Sequence, residues 1–305
     1  MRILLTGGTG MVGSNIRQHP AAEAHEILAP RSSELDLLDA GATAEYVRRT
    51  QPDVVVHAAG VVGGIQANIA NPVRFFTANM AMGLNIIGAA REAGVQRFLN
   101  IGSSCMYPRD AENPLREEQV LAGELEPTNE GYAIAKIGAA RLCEYISRED
   151  PSYEYRTIIP CNLYGPYDKF GAAAHMVPAV IAKIHDALQR GDDSVEIWGS
   201  GEARREFMYA GDLAEFVFVA LDRFADLPPL LNVGLGVDHS VNEYYEAVAA
   251  ALGYRGTFTH DLSKPVGMNR KLVDVSRLDA FGWHASTSLE AGIRATYTYF
   301  LSTRD

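Results

Sequence analysis

The sequence predicts an α/β protein: a doubly wound parallel sheet carrying a smaller mixed α/β lobe. Three observations carry this. Short apolar runs, such as ILLT (3–6), DVVVH (53–57) and RFLNI (97–101), lack the polar–apolar alternation of a half-exposed strand. Helical patterns separate them, which parallel strands require. A glycine-rich turn follows the first run directly and opens a helix, the start of a Rossmann-type unit.

Taken in order, the runs 3–6, 26–29, 53–57, 97–101 and 155–159 read as buried strands. Helices are expected near 11–18, 40–50, 72–93 and 129–148. After YRTII (155–159) the rhythm loosens. CNLYGPYDKFG (161–171), rich in Gly, Pro and aromatics, reads as a loop. A helix near 175–190, the strand VEIW (195–198), a helix near 211–224 and the strand LLNV (230–233) follow. Residues 240–305 read as two helices with short extended pieces. The expected division is a dinucleotide-binding unit over 1–165 with about 205–235, and a substrate-binding lobe over 166–204 and 236–305. The crevice between them is the expected ligand site.

Bulk properties narrow the function. The chain has 305 residues and is 47% hydrophobic, enough for a large core. Without a run of about 18 apolar residues, no membrane span is expected. The strand pattern begins directly after Met1, so no signal peptide is expected. Cys105, Cys143 and Cys161 lack metal-ligand spacing and an even count, as in a reducing cytoplasm, and no metal is expected. A net charge of −11 disfavours nucleic acid and acidic lipid, so an anionic ligand must meet local arginines.

In TGGTGMVGS (6–14) the glycines fall at Gly7, Gly10 and Gly13. Glycine removes Cβ where backbone approaches a pyrophosphate, and the helix start offers free N–H groups. Thr9, Met11 and Val12 complete this predicted cradle. An acid ending the second strand would bind the 2′-hydroxyl of NAD. That position instead holds Arg31, Ser32 and Ser33, which suit a 2′-phosphate, so NADPH is expected; Asp36 and Leu37 fall against the adenine. Pro160, Asn162 and Leu163, beyond the fifth strand, are expected to contact the cofactor.

GYAIAK (131–136) puts Tyr132 and Lys136 on one helical face. A nearby ammonium favours the phenolate, so Tyr132 is expected to titrate closer to working pH and to protonate an alkoxide formed by hydride transfer. Lys136 would hold the nicotinamide ribose, and Ser103 would donate to the same carbonyl oxygen.

Together these motifs resemble the extended short-chain dehydrogenase/reductases, which act largely on nucleotide sugars. A finer set is GSSCMYP (102–108), EPTNEGYAIAK (126–136), CNLYGPYD (161–168), AHMVPAVI (174–181), WGSGEARREF (198–207), NVGLGVD (232–238) and RKLVDVSRL (270–278). It resembles, nearly end to end, the 3,5-epimerase-4-reductases of that family, which convert GDP-4-keto-6-deoxy-D-mannose to GDP-L-fucose with NADPH. The chemistry explains an otherwise unneeded thiol. A C4 ketone acidifies the hydrogens on C3 and C5, and the enolate charge sits on the oxygen the reductase groups already address. The resemblance assigns Cys105 as the epimerisation base and His175 as the acid. It places Trp198, Arg205 and Lys271 on the nucleotide and diphosphate, and Ser104, Asn162 and Lys183 along the substrate. It further implies a homodimer through the helices near 72–93 and 129–148. His57, Cys143 and Cys161 read as structural.

The chain departs from that pattern at Thr9, Lys183 and Val266, where a basic residue, Arg and Asp respectively are usual. The sugar can therefore be a relative, a 3,6-dideoxy hexose or a 6-deoxy heptose with one centre inverted. An NAD-retaining 4-epimerase or 4,6-dehydratase remains an alternative, although Cys105 and Met106 stand where a dehydratase carries an acidic pair. A dinucleotide-sensing regulator would not need Ser103, Tyr132 and Lys136 together.

Overall fold

A computed structural model of the chain describes residues 1–171, 174–264 and 268–304, with only the backbone of Ile65. Its centre is a six-stranded parallel sheet. In spatial order the strands are Leu230–Val233, Glu154–Pro160, Arg97–Ile101, Val54–His57, Arg2–Thr6 and Glu26–Leu28. The central strands are largely apolar because helices cover both faces; Val54, Val55 and Val56 are fully buried. Each such side chain contributes roughly 1.5–3 kcal/mol of transfer free energy.

The chain winds outward from Arg2–Thr6 to Glu26–Leu28, then crosses to Val54–His57 on the other side. That reversal creates a crevice beyond the carboxyl ends of the strands. The Gly7 turn, Gly102–Met106 and Asn162 all leave the sheet at those ends. The long helices Pro72–Glu92 and Glu130–Glu149 pack side by side on one face. Glycines permit their close approach: a Cβ on Gly83 would stand 3.2 Å from Ala139, and one on Gly138 would stand 3.1 Å from Met80.

A second core gathers Tyr164, Ile181, Ile197, Phe207, Tyr244 and Phe300 around the helices Met176–Arg190, Val241–Leu252 and Leu289–Ser302. Small sheets frame it. Arg204–Arg205 lies between His239–Ser240 and Arg270–Lys271, and Ser194–Trp198 pairs with Thr257–Asp261. No helix among the described residues is long and apolar enough to cross a membrane.

Most expected elements are present within one or two residues, and four details differ. The segment 161–171 contains a short strand, Asn162–Tyr164, paired with Phe207–Tyr209; its partner lies 45 residues away, so local composition could not reveal it. A short helix, Ile65–Ala70, precedes the long one, and a 3-10 turn spans Pro20–Ala24. Among the described residues, the C-terminal region holds three helices rather than two, the added one being Ser276–Phe281. Val266 lies outside the described residues.

Candidate active site

The glycine turn has the shape a dinucleotide needs. Gly7 sits at φ +72°, and a Cβ there would meet the Ala59 amide at 2.6 Å. A Cβ on Gly13 would run into the Gly7 carbonyl, so the helix start can lie against the turn only as glycine. Gly10 begins the helix Met11–Gln18 and no side chain caps it, which leaves its first amides for an anion. Thr9 and Gly10 are exposed, Met11 and Val12 partly so. These residues fit the pyrophosphate of a dinucleotide.

Beyond the second strand, the Glu34 carboxylate accepts the Arg31 amide at 2.7 Å, closing a turn that leaves Arg31 and Ser32 on the surface. Asp36 is engaged locally, accepting from the Leu38 amide at 2.9 Å, and Leu37 is buried.

At the end of the fourth strand, Ser103 opens a 3-10 turn over Ser104–Met106, accepting from the Cys105 amide at 3.4 Å. The turn buries Ser104 and Cys105. From the facing helix, Lys136 Nζ donates to the Ile101 carbonyl at 2.9 Å and stands 5.9 Å from the centre of the Tyr132 ring. Ser103 lies close enough to pull both the Tyr132 phenol and the Cys105 thiol downward. Burial pushes the Cys105 thiol up; Lys271 is the strongest influence in the other direction, followed by Ser103 and Lys136. Burial also holds Lys136 down to about 8. The structure thus gathers Ser103, Cys105, Tyr132, Lys136 and Lys271 into one electrostatic unit.

One expectation is corrected. Tyr132 is shifted upward, not toward neutrality: burial dominates, a neighbouring Cys105 charge adds to it, and Ser103 alone opposes it. The Lys136 ammonium, which donates to the Ile101 carbonyl, does not offset that burial. In this state Tyr132 is held in its protonated, donating form.

The other predicted residues are dispersed around this group. Pro160 is buried at the end of its strand; Asn162, just beyond, donates to the Glu206 carbonyl at 2.9 Å, and Leu163 is partly buried next to it. Arg205 donates to the Arg204 carbonyl at 2.8 Å and adds its positive charge beside Lys271. Lys183 donates to the Glu196 carbonyl, bracing helix Met176–Arg190 against strand Ser194–Trp198. Trp198 is 58% exposed with Lys264 over its ring at 5.6 Å, an open wall rather than a packed one. His175 is the exposed N-cap of helix Met176–Arg190; among the described residues its ion-pair partner is Asp168, and no hydrogen bond or ion pair joins it to Cys105. Cys143 and Cys161 are buried, and burial pushes Cys143 up to about 12.

Three positions escaped the sequence reading. Asn79 clasps the loop beyond the third strand, donating to the Val61 carbonyl at 3.0 Å and accepting its amide at 2.8 Å. Its polarity within an apolar helical stretch was the available signal. Glu206 is buried and accepts amides from Leu235, Gly236 and Val273, tying three segments together. Asp168 is described below. Nothing local distinguishes either acid.

The sequence model of the NAD dependent epimerase/dehydratase family matches residues 3–234. The chain belongs to that family. Among its relatives, the GDP-L-colitose synthase of Yersinia pseudotuberculosis is 54% identical, covering 100% of this chain and 99% of its own. The GDP-L-fucose synthase of Azorhizobium caulinodans is 50% identical, covering 99% and 96%. In structure, the chain is similar to a GDP-mannoheptose C4 reductase from Campylobacter jejuni with NADP bound, with a TM-score of 0.89, 29% identity and 98% of each chain covered.

Proposed function

We propose that this chain is an NADPH-dependent bifunctional epimerase/reductase that converts GDP-4-keto-6-deoxy-D-mannose to GDP-L-fucose, as a GDP-L-fucose synthase does. The observation that carries this is a buried thiol, Cys105, sharing Ser103 and Lys136 with the reductase tyrosine. One oxyanion pocket then serves two reactions.

Cys105, as thiolate, takes a proton from C3 or C5 of the 4-keto sugar. Lys271 lowers the cost of that thiolate. The enolate charge on the C4 oxygen is met by hydrogen bonds from Ser103 and Tyr132. His175 returns a proton on the opposite face, inverting the centre. A reduced nicotinamide held beside Lys136 would supply the hydride for C4. Tyr132 gives its proton to the resulting C4 alkoxide, and Lys136, fixed on the Ile101 carbonyl, holds the nicotinamide ribose. Arg31 and Ser32 receive the 2′-phosphate, Gly7, Gly10 and Gly13 the pyrophosphate, and Arg205 and Trp198 the guanosine diphosphate. The unit 1–165 with 205–235 serves the cofactor, and 166–204 with 236–305 serves the sugar. Two copies pair through the helices Pro72–Glu92 and Glu130–Glu149, and three unpaired buried thiols fit the cytoplasm.

The test is product stereochemistry in D2O with GDP-4-keto-6-deoxy-D-mannose and NADPH. The expected product carries deuterium at C3 and C5. Cys105→Ser is expected to abolish inversion, a loss of about 10²-fold or more, while direct reduction of the uninverted ketone continues. Native-rate inversion by Cys105→Ser defeats the reading. A second reading, the same chemistry on a 3,6-dideoxy sugar with C5 alone inverted, is favoured by the 54% identity to a GDP-L-colitose synthase. Faster turnover of the 3-deoxy ketone in the same assay would select it.

A further inference from the structure

We propose that Asp168 is the positioning residue of His175, fixing which ring nitrogen faces the sugar. The proposal rests on the reading of His175 as the proton donor in epimerisation.

Asp168 lies in the segment that leaves the short strand Asn162–Tyr164. Its side chain is only 6% exposed, although Tyr167 and Lys169 on either side are at the surface. The backbone explains this inward turn. Tyr167 occupies the left-handed region at φ +67°, unusual for a bulky residue, and its ring packs on Tyr299 with centroids 4.8 Å apart. The segment is also tied to the cofactor helix: Asn15 Nδ2 donates to the Met11 carbonyl at 2.9 Å and to the Pro166 carbonyl at 3.0 Å.

The carboxylate so placed is incompletely used. Asp168 Oδ1 accepts the Lys169 amide at 2.7 Å, and Oδ2 is buried without a hydrogen-bond partner. A buried carboxylate oxygen without a donor costs free energy unless a donor reaches it. Among the described residues, His175 stands within ion-pair distance, its Nδ1 3.7 Å from Oδ1. A small ring movement on substrate binding brings Nδ1–H onto the carboxylate. Nε2 is then the nitrogen presented to the crevice.

The proton balance follows. The imidazolium carries protons on both nitrogens. Nε2 gives its proton to the substrate carbon, the enolate electron pair forms the new C–H bond, and the ring is left neutral. Nδ1 keeps its proton on Asp168, which stays ionised throughout. The carboxylate therefore fixes the tautomer the ring is left in.

The experiment uses the full-length protein. In D2O with NADPH, Asp168→Asn is expected to lower kcat for the inverted product about 10- to 100-fold, with KM nearly unchanged. The uninverted reduction product is expected to gain share, and Asp168→Glu to recover part of the loss. Inversion by Asp168→Asn at the native rate overturns the proposal. His175→Ala separates the two claims. If His175→Ala still inverts, the proton-donor reading itself falls; if it does not, while Asp168→Asn inverts normally, only the positioning role falls. A measurement on the unmutated protein guards against misfolding. The ¹⁵N shifts of the neutral His175 ring are expected to report the Nδ1–H tautomer, and finding Nε2–H overturns the proposal independently of any variant.

Discussion

Cys105 differs from the other two thiols in its company rather than in its burial. All three are buried, and burial pushes each upward. Only Cys105 has a hydroxyl and two ammonium groups working in the other direction. The sequence showed the residue and its place beyond the fourth strand, but not Lys271, which is 166 residues away. Tyr132 teaches the converse. Its spacing from Lys136 was legible, yet the ammonium is claimed by the Ile101 carbonyl, a partner that spacing along one helix cannot predict. Gly13 was fully legible, and its constraint is steric. Gly13→Ala would drive a methyl into the Gly7 carbonyl. We expect a loss of about 1–3 kcal/mol in stability, read by urea denaturation, together with weaker NADPH binding by fluorescence titration.

At the scale of elements, helix Glu130–Glu149 does two jobs. One face carries Tyr132 and Lys136 to the crevice, and small residues on it let Pro72–Glu92 approach closely. A third face leaves Ile134 at 39% exposure, with Leu84 at 45% and Val73 at 72% on the neighbouring helix. Three apolar side chains left in water on adjacent helices fit a surface covered by a second copy. Leu84→Glu with Ile134→Glu is expected to yield a monomer by size-exclusion chromatography with unchanged far-UV circular dichroism. A dimer that survives both charges would reject pairing through these helices. The helices themselves were readable from their period. The short strand Asn162–Tyr164 was not, because three residues give too little pattern and its register comes from Phe207–Tyr209.

For the molecule as a whole, two buried groups tilt stability with pH in opposite directions. Burial pushes Glu206 up to about 7 from its ordinary 4.5, so between those values the folded chain binds more protons than the unfolded one. Stability from this group is full below about 4.5 and is lost as pH rises through about 7. Lys136 is held down to about 8 from 10.5, so between those values the unfolded chain binds more protons, and stability rises with pH. Denaturation of the cofactor-free protein across pH should show both slopes. Glu206→Gln is expected to flatten the acidic one and Lys136→Met the alkaline one; a variant that leaves its slope intact refutes that assignment. Neither slope was readable from composition, since each depends on burial created by distant segments. The doubly wound parallel class of the sheet, by contrast, followed from local patterns.

The hydrogen bond from Asn15 to the Pro166 carbonyl has a consequence for evolution and engineering alike. Pro160 is fixed in the sheet, Asn162–Tyr164 is registered on its neighbour, and Pro166 is moored to the first helix. The chain between these anchors is length-locked: adding or deleting one residue would have to unmoor an anchor.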